Sequence, residues 1–153
     1  MEEFELFKLL KDKGYTLSSA ESLTGGEFGY IITSHPGASN YFKGSLVTYV
    51  NEIKEKLGVK KETLDEYGAV STSCAKEMCE KANEFFKTDV AISFTGNAGP
   101  SASEGKPVGL VYIGISIRNK TEVFEFHFKG NREEIRNQCI EEGINKLINA
   151  LKI

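Results

Sequence analysis

The 153-residue sequence has no tryptophan, two methionines, three prolines, two histidines and three cysteines. No apolar run approaches the roughly 18–20 residues that cross a bilayer. The start, Met1-Glu2-Glu3-Phe4, is acidic and lacks the basic and apolar regions of a secretion signal. A cytoplasmic protein with no membrane partner is therefore expected. Cys74, Cys79 and Cys139 are odd in number and lack metal-type spacing, so they read as small buried hydrophobes. His35 and His127 lie far apart, and neither has a partner at metal-ligand spacing, so no metal site is expected. Positive charge is also scarce: the formal net charge is −3, and Arg118, Arg132 and Arg136 are the only arginines. Nonspecific nucleic-acid binding rests on phosphate neutralisation, so no nucleic-acid partner is expected.

What is present has the balance of a soluble globular protein, with 40% hydrophobic and 27% charged residues. The length fits a single domain over residues 1–153. Phe4, Phe7 and Leu10 share one face of a predicted helix over 3–13, stopped by Gly14. A short strand is predicted at 15–20, a helix at 27–34 and a strand at 45–50. Asn51 is expected to cap a helix over 52–57, followed by another over 61–67. Ala75, Met78, Cys79, Ala82 and Phe86 give helical spacing over 73–86. Strands are predicted at 89–94, 108–117 and 121–128, the last two joined by a hairpin at Arg118-Asn119-Lys120. Asn131 and Glu134 form the pattern of a capping box, opening a helix whose buried side carries Ile135, Cys139, Ile144, Leu147 and Leu151. The alternation predicts an α/β fold: one three-layer α/β/α domain with a mixed sheet.

Ligands in such folds bind beyond the carboxyl ends of strands, and two loops of small residues fall there. The first, Ser18 to Gly26, leads from a strand into a helix. Ser22 or Thr24 could cap that helix. Alternatively Ser22 is a nucleophile, with the Thr24, Gly25 and Gly26 amides facing an oxyanion. The second, Phe94 to Pro107, lacks the Gly-Lys-Ser/Thr ending of a P-loop. It is either a flexible connection or a backbone cradle for a phosphate or ribose. Neither histidine is placed to activate a serine. Lys54, near the start of its helix, is a physical candidate for a base, because a helix N-terminus disfavours an ammonium. As one of several neighbouring lysines it could equally be a solvated surface residue.

A series of ordered motifs bears on these alternatives. Ala20-Glu21-Ser22-Leu23-Thr24-Gly25-Gly26, Pro36 to Gly44, and Tyr49-Val50-Asn51-Glu52-Ile53-Lys54 come first. Gly68-Ala69-Val70-Ser71, Thr95-Gly96-Asn97-Ala98-Gly99-Pro100, Lys106 to Tyr112, and Gly130 to Arg136 follow. From about Gly14 onward the sequence resembles the carboxy-terminal domain family of the competence/damage-inducible protein CinA. Stand-alone members of that family are nicotinamide mononucleotide (NMN) amidases. The resemblance implies hydrolysis of NMN to nicotinate mononucleotide and ammonia, in pyridine-nucleotide salvage. It implies a Ser22–Lys54 catalytic dyad, no cofactor, and a small nucleotide as substrate.

Tyr49, Thr95 and Arg136 match other family site positions, and Gly96 and Gly99 fall in the expected substrate cradle. Arg132, one helical turn before Arg136, reads as ordinary surface charge. A homo-oligomer is expected. The alternative is a nucleotide-binding, regulatory or interaction domain of the competence/damage-inducible type. Leu23 stands where the family often has cysteine and Asn97 where an apolar residue is usual. The Ser101–Gly105 stretch carries fewer glycines than is common.

Overall fold

A computed structural model describes residues 2–153. Five strands, β1 (Leu17–Glu21), β2 (Phe42–Val47), β3 (Val90–Gly96), β4 (Leu110–Ile117) and β5 (Lys120–His127), form one sheet in the order β2-β1-β3-β4-β5. β1 runs parallel to β2 and β3, while β3–β4 and β4–β5 are antiparallel. The helices are α1 (Glu2–Lys13), α2 (Glu27–Thr33), α3 (Asn51–Leu57), α4 (Lys61–Tyr67), α5 (Thr72–Phe86) and α6 (Arg132–Leu151). The expected α/β fold with a mixed sheet is found.

Alternation along the strands explains the layers, because successive side chains point to opposite faces. Leu17, Ile92, Phe94, Ile113 and Ile115 belong to the core shared with α1, α2 and α6. Their neighbours on the other face are small: Ser18, Ala20, Ala91, Ser93 and Gly114. That face admits α5 closely. Ser93 Oγ donates to the Ala75 carbonyl of α5 at 2.6 Å, and a Cβ at Gly114 would meet the same oxygen at 2.7 Å. Cys74, Cys79 and Cys139 are buried free thiols.

The capping box at Asn131 and Glu134 forms as read, and both middle residues of the β4–β5 hairpin, Arg118 and Asn119, take positive φ, as a type I′ turn requires. Three details differ. Phe4 is 57% exposed, and Leu6 joins Leu10 on the buried face of α1. β2 begins at Phe42 and ends at Val47, before the predicted 45–50. Asn51 is the first helical residue of α3 rather than its cap, because the extended Val50 takes that position without a side-chain bond. Among the described residues no helix is long and apolar enough to cross a membrane.

α6 packs closely on the sheet at Gly143, where a Cβ would lie 2.8 Å from Phe94 Cε1 and 3.1 Å from Ile92 Cδ1. Both neighbours are fully buried and cannot swing away. Gly143→Ala is expected to destabilise the fold by about 1–3 kcal/mol, the usual cost of overpacking. Urea unfolding would read this as a lower midpoint at unchanged slope.

Candidate active site

The carboxyl ends of the parallel strands β1, β2 and β3 converge on one cleft of about 310 Å³. Ser22 leaves β1 there, and its amide donates to the Phe94 carbonyl of β3 at 2.9 Å. The chain then turns through Leu23, Thr24, Gly25 and Gly26 into α2. Gly25 and Gly26 have φ of 57° and 103°, a region costly for residues with a β-carbon.

Lys54 comes to the same point from α3 and is 1% exposed. Its Nζ donates to Ser22 Oγ at 2.9 Å, to the Thr48 carbonyl at 2.8 Å and to the Tyr49 carbonyl at 3.0 Å. Lys54 takes part in none of the ion pairs among the described residues. Burial lowers its pKa from the ordinary lysine value, against smaller upward pulls from Cys74 and Glu104. Desolvation is thus the main cause. Three donated bonds use all the N–H groups of an ammonium; once that proton is lost, two N–H groups keep the two carbonyls and the lone pair is free for the Ser22 hydroxyl proton.

Glu21, the last residue of β1, is fully buried beside Ser22. Its Oε1 accepts from the Gly26 and Phe28 amides, both at 3.1 Å, and from Thr24 Oγ1 at 2.7 Å. Its Oε2 accepts from the Gly29 amide at 3.0 Å and from Ser19 Oγ at 3.2 Å. The Gly25 amide donates to the Ser22 carbonyl at 3.0 Å. The Gly25 and Gly26 amides therefore point away from any oxyanion, whereas the Leu23 and Thr24 amides, directly after Ser22, meet no acceptor among the described residues.

Of the other expected residues, Tyr49, Thr95, Gly96 and Gly99 line the cleft. Thr95 Oγ1 donates to the Ala69 carbonyl at 2.8 Å, which fixes the end of β3 to the turn before α5. Arg136 is placed elsewhere, in the neighbouring surface with Glu27 and Tyr30. Its Nη2 donates to the Thr24 carbonyl at 3.0 Å and its buried Nε has no partner. The cleft receives Arg132 instead, whose Nη1 donates to the Gly99 carbonyl at 2.6 Å and whose Nη2 donates to Tyr49 Oη at 2.9 Å. Spacing alone could not separate the two arginines. The position at the first helical residue was the available signal, since a side chain there reaches past the helix end.

The long second loop is held rather than slack. Asn97 Nδ2 donates to the Ser103 and Lys106 carbonyls at 3.2 and 3.0 Å, and Ser103 Oγ donates to Asn97 Oδ1 at 2.6 Å. Glu104 accepts from the Ala69 and Val70 amides at 2.9 and 3.2 Å and pairs with Lys106 at 3.1 Å. Burial pulls the Glu104 pKa upward, but these bonds outweigh it and the net shift is downward. Among the described residues no three His, Cys, Asp or Glu side chains gather as a metal site.

A family model described as the CinA C-terminal domain matches residues 2–151. A Bacillus subtilis protein named "Putative competence-damage inducible protein" is 48% identical over 97% of this chain, and one of the same name from Caldanaerobacter subterraneus is 52% identical over 92%. These matches cover 36% and 34% of those relatives, so the chain spans about a third of their length. Among solved structures, a CinA superfamily protein from Klebsiella pneumoniae superposes with a TM-score of 0.96 at 28% identity, covering 99% of this chain and 96% of that one. A competence/damage inducible protein from Agrobacterium tumefaciens gives 0.91 at 34% identity, with the same coverage of both chains.

The lowered pKa of Lys54 has a consequence for stability. As pH falls below the ordinary lysine value of 10.5, the unfolded chain takes up a proton that the native site resists. The native state is thereby penalised, and the penalty disappears as pH rises through that value. Lys54→Met keeps the bulk and removes the titration. The stability of the unsubstituted protein relative to this variant is expected to rise between pH 7 and pH 11, measured by urea unfolding at each pH.

Proposed function

Because the chain belongs to the CinA C-terminal domain family, we propose that it is an amidohydrolase that converts NMN to nicotinate mononucleotide and ammonia. The observation that carries this reading is the 2.9 Å contact between Ser22 Oγ and the buried Lys54 amine. A serine hydroxyl needs a base to attack an amide, and burial moves the Lys54 amine toward that role by lowering its pKa. Lys54 takes the Ser22 proton as Oγ bonds to the carboxamide carbon. The resulting oxyanion is met by the Leu23 amide, and the Lys54 ammonium then gives its proton to the departing nitrogen. Ammonia leaves, and a nicotinoyl ester remains on Ser22. Water attacks that ester while giving its proton to Lys54, and the acid is released as Ser22 regains a proton.

Ammonia release from NMN by purified protein, beside NAD and nicotinamide, tests the activity. Ser22→Ala is expected to unfold at an unchanged temperature and to lose about 10⁴-fold or more in turnover. Lys54→Arg is expected to fail nearly as badly as Lys54→Ala, since a guanidinium stays protonated and cannot accept the serine proton. Substantial turnover by Lys54→Arg would rule out the lysine as the base.

In this reading Arg132 anchors the substrate phosphate, because its guanidinium faces the cleft while Arg136 holds the Thr24 carbonyl. Arg132→Ala is expected to raise KM for NMN about 10- to 100-fold, the worth of a charge-assisted contact, with little effect on the phosphate-free riboside. Arg136→Ala is expected to lower kcat similarly for both substrates. Steady-state kinetics on the two substrates would show a reversed pattern if Arg136 were the phosphate anchor.

A further inference from the structure

We infer that Glu21 is the positioning residue of the nucleophile: its buried carboxylate holds the turn that aims Ser22 at Lys54. The inference rests on the reading of Ser22 as nucleophile. The geometry is that of a clamp. Both carboxylate oxygens face donors from within the chain, and every donor to Oε1 belongs to the turn or to the start of α2. Among the described residues no cation pairs with it. The charge is thus balanced by backbone amides and hydroxyls, which are fixed in direction as a lysine or arginine would not be.

The other carboxylate oxygen is held from the sheet and from Gly29 of α2, away from the turn. Ser19 Oγ, which donates to Glu21 Oε2, also bonds Ser45 Oγ of β2. A Cβ at Gly29 would fall 2.5 Å from Ser45 Oγ, so the glycine gives α2 room to approach this group. On the other side, Glu21 O accepts from the Thr48 amide at 2.7 Å, one residue before the second carbonyl that holds Lys54. One residue therefore touches both segments that carry the dyad: its side chain the Ser22 turn, its backbone the Thr48–Tyr49 segment.

Two substitutions of equal size separate positioning from plain structural support. Thr24→Val and Ser19→Ala each remove one hydroxyl bond to the Glu21 carboxylate, but only Thr24 lies on the nucleophile turn. The readout is the rate of Ser22 modification by a small alkyl fluorophosphonate, in which Oγ bonds to phosphorus, fluoride leaves and Lys54 takes the proton. Mass spectrometry follows the adduct, and rates are expressed per folded molecule. Thr24→Val is expected to react about 10-fold slower and Ser19→Ala at the unsubstituted rate. Glu21→Gln, which puts an NH₂ group against amide donors, is expected to react about 100-fold slower, the scale of an ångström of misplacement.

The pH limb of the reaction is expected to stay in place in Thr24→Val and Glu21→Gln, since Lys54 is untouched. Equal rates for Thr24→Val, Ser19→Ala and the unsubstituted protein would overturn the role of Glu21, whether or not Glu21→Gln folds. Absence of any Ser22 adduct on the unsubstituted protein would instead overturn the nucleophile itself, and the inference with it.

Discussion

A lysine amine removed from water and given no carboxylate must shed its proton or find an acceptor for each N–H it keeps. Lys54 sits in that position, and the fold around it is arranged to supply the acceptors. β2 stops at Val47, so that the Thr48 and Tyr49 carbonyls, freed from the sheet, turn to Nζ. α3 begins at Asn51 and brings Lys54 back over those carbonyls within one helical turn. The third direction around the amine is occupied by Ser22. The three acceptors around Nζ, two carbonyls and Ser22 Oγ, match the three N–H groups of an ammonium, while the dry surroundings work against its charge and lower the Lys54 pKa.

Glu21 presents the complementary problem and is solved the same way. A carboxylate buried at the head of α2 occupies the place where helix amides would otherwise attract an outside anion. The protein uses its own side chain for that purpose, and the Gly26, Phe28 and Gly29 amides are thereby assigned to structure. Ser22 lies between a buried acid satisfied by donors and a buried amine satisfied by acceptors. Neither group pairs with the other, because the turn and the Thr48–Tyr49 segment lie between them. A direct ion pair would have neutralised both, and with them the base.

The periodic parts of the structure were readable from the sequence. α5 and α6 carry strong apolar spacing, so their buried faces could be derived, and the Asn131 cap also marked the start of α6; the Ser71 cap of α5 went unread. The sheet's two faces were harder, because small residues on the α5 side (Ser18, Ala20, Ser93) look polar or neutral rather than buried. Their role emerges only from the approach of α5. The candidate site was legible as a set of loops and as Ser22 and Lys54 through the resemblance. Directions within it were not. Whether the Gly26 amide faces a substrate or Glu21, and whether Arg132 or Arg136 enters the cleft, depends on contacts between segments about 5 to 110 positions apart, which local pattern does not encode.

The second loop takes on a physical sense in the same way. Asn97 places two donors and an acceptor in a nearly closed environment, 6% exposed. Left unmet, those groups would destabilise the cleft wall. They are met by Ser103 and Lys106. Glu104 and Lys106 then tie this loop to the turn at 67–70. The loop is thus held by a polar brace centred on Asn97. Because the brace turns the Asn97 amide into its own loop, it acts on the stiffness of the cleft wall and leaves the groups at the dyad as they are.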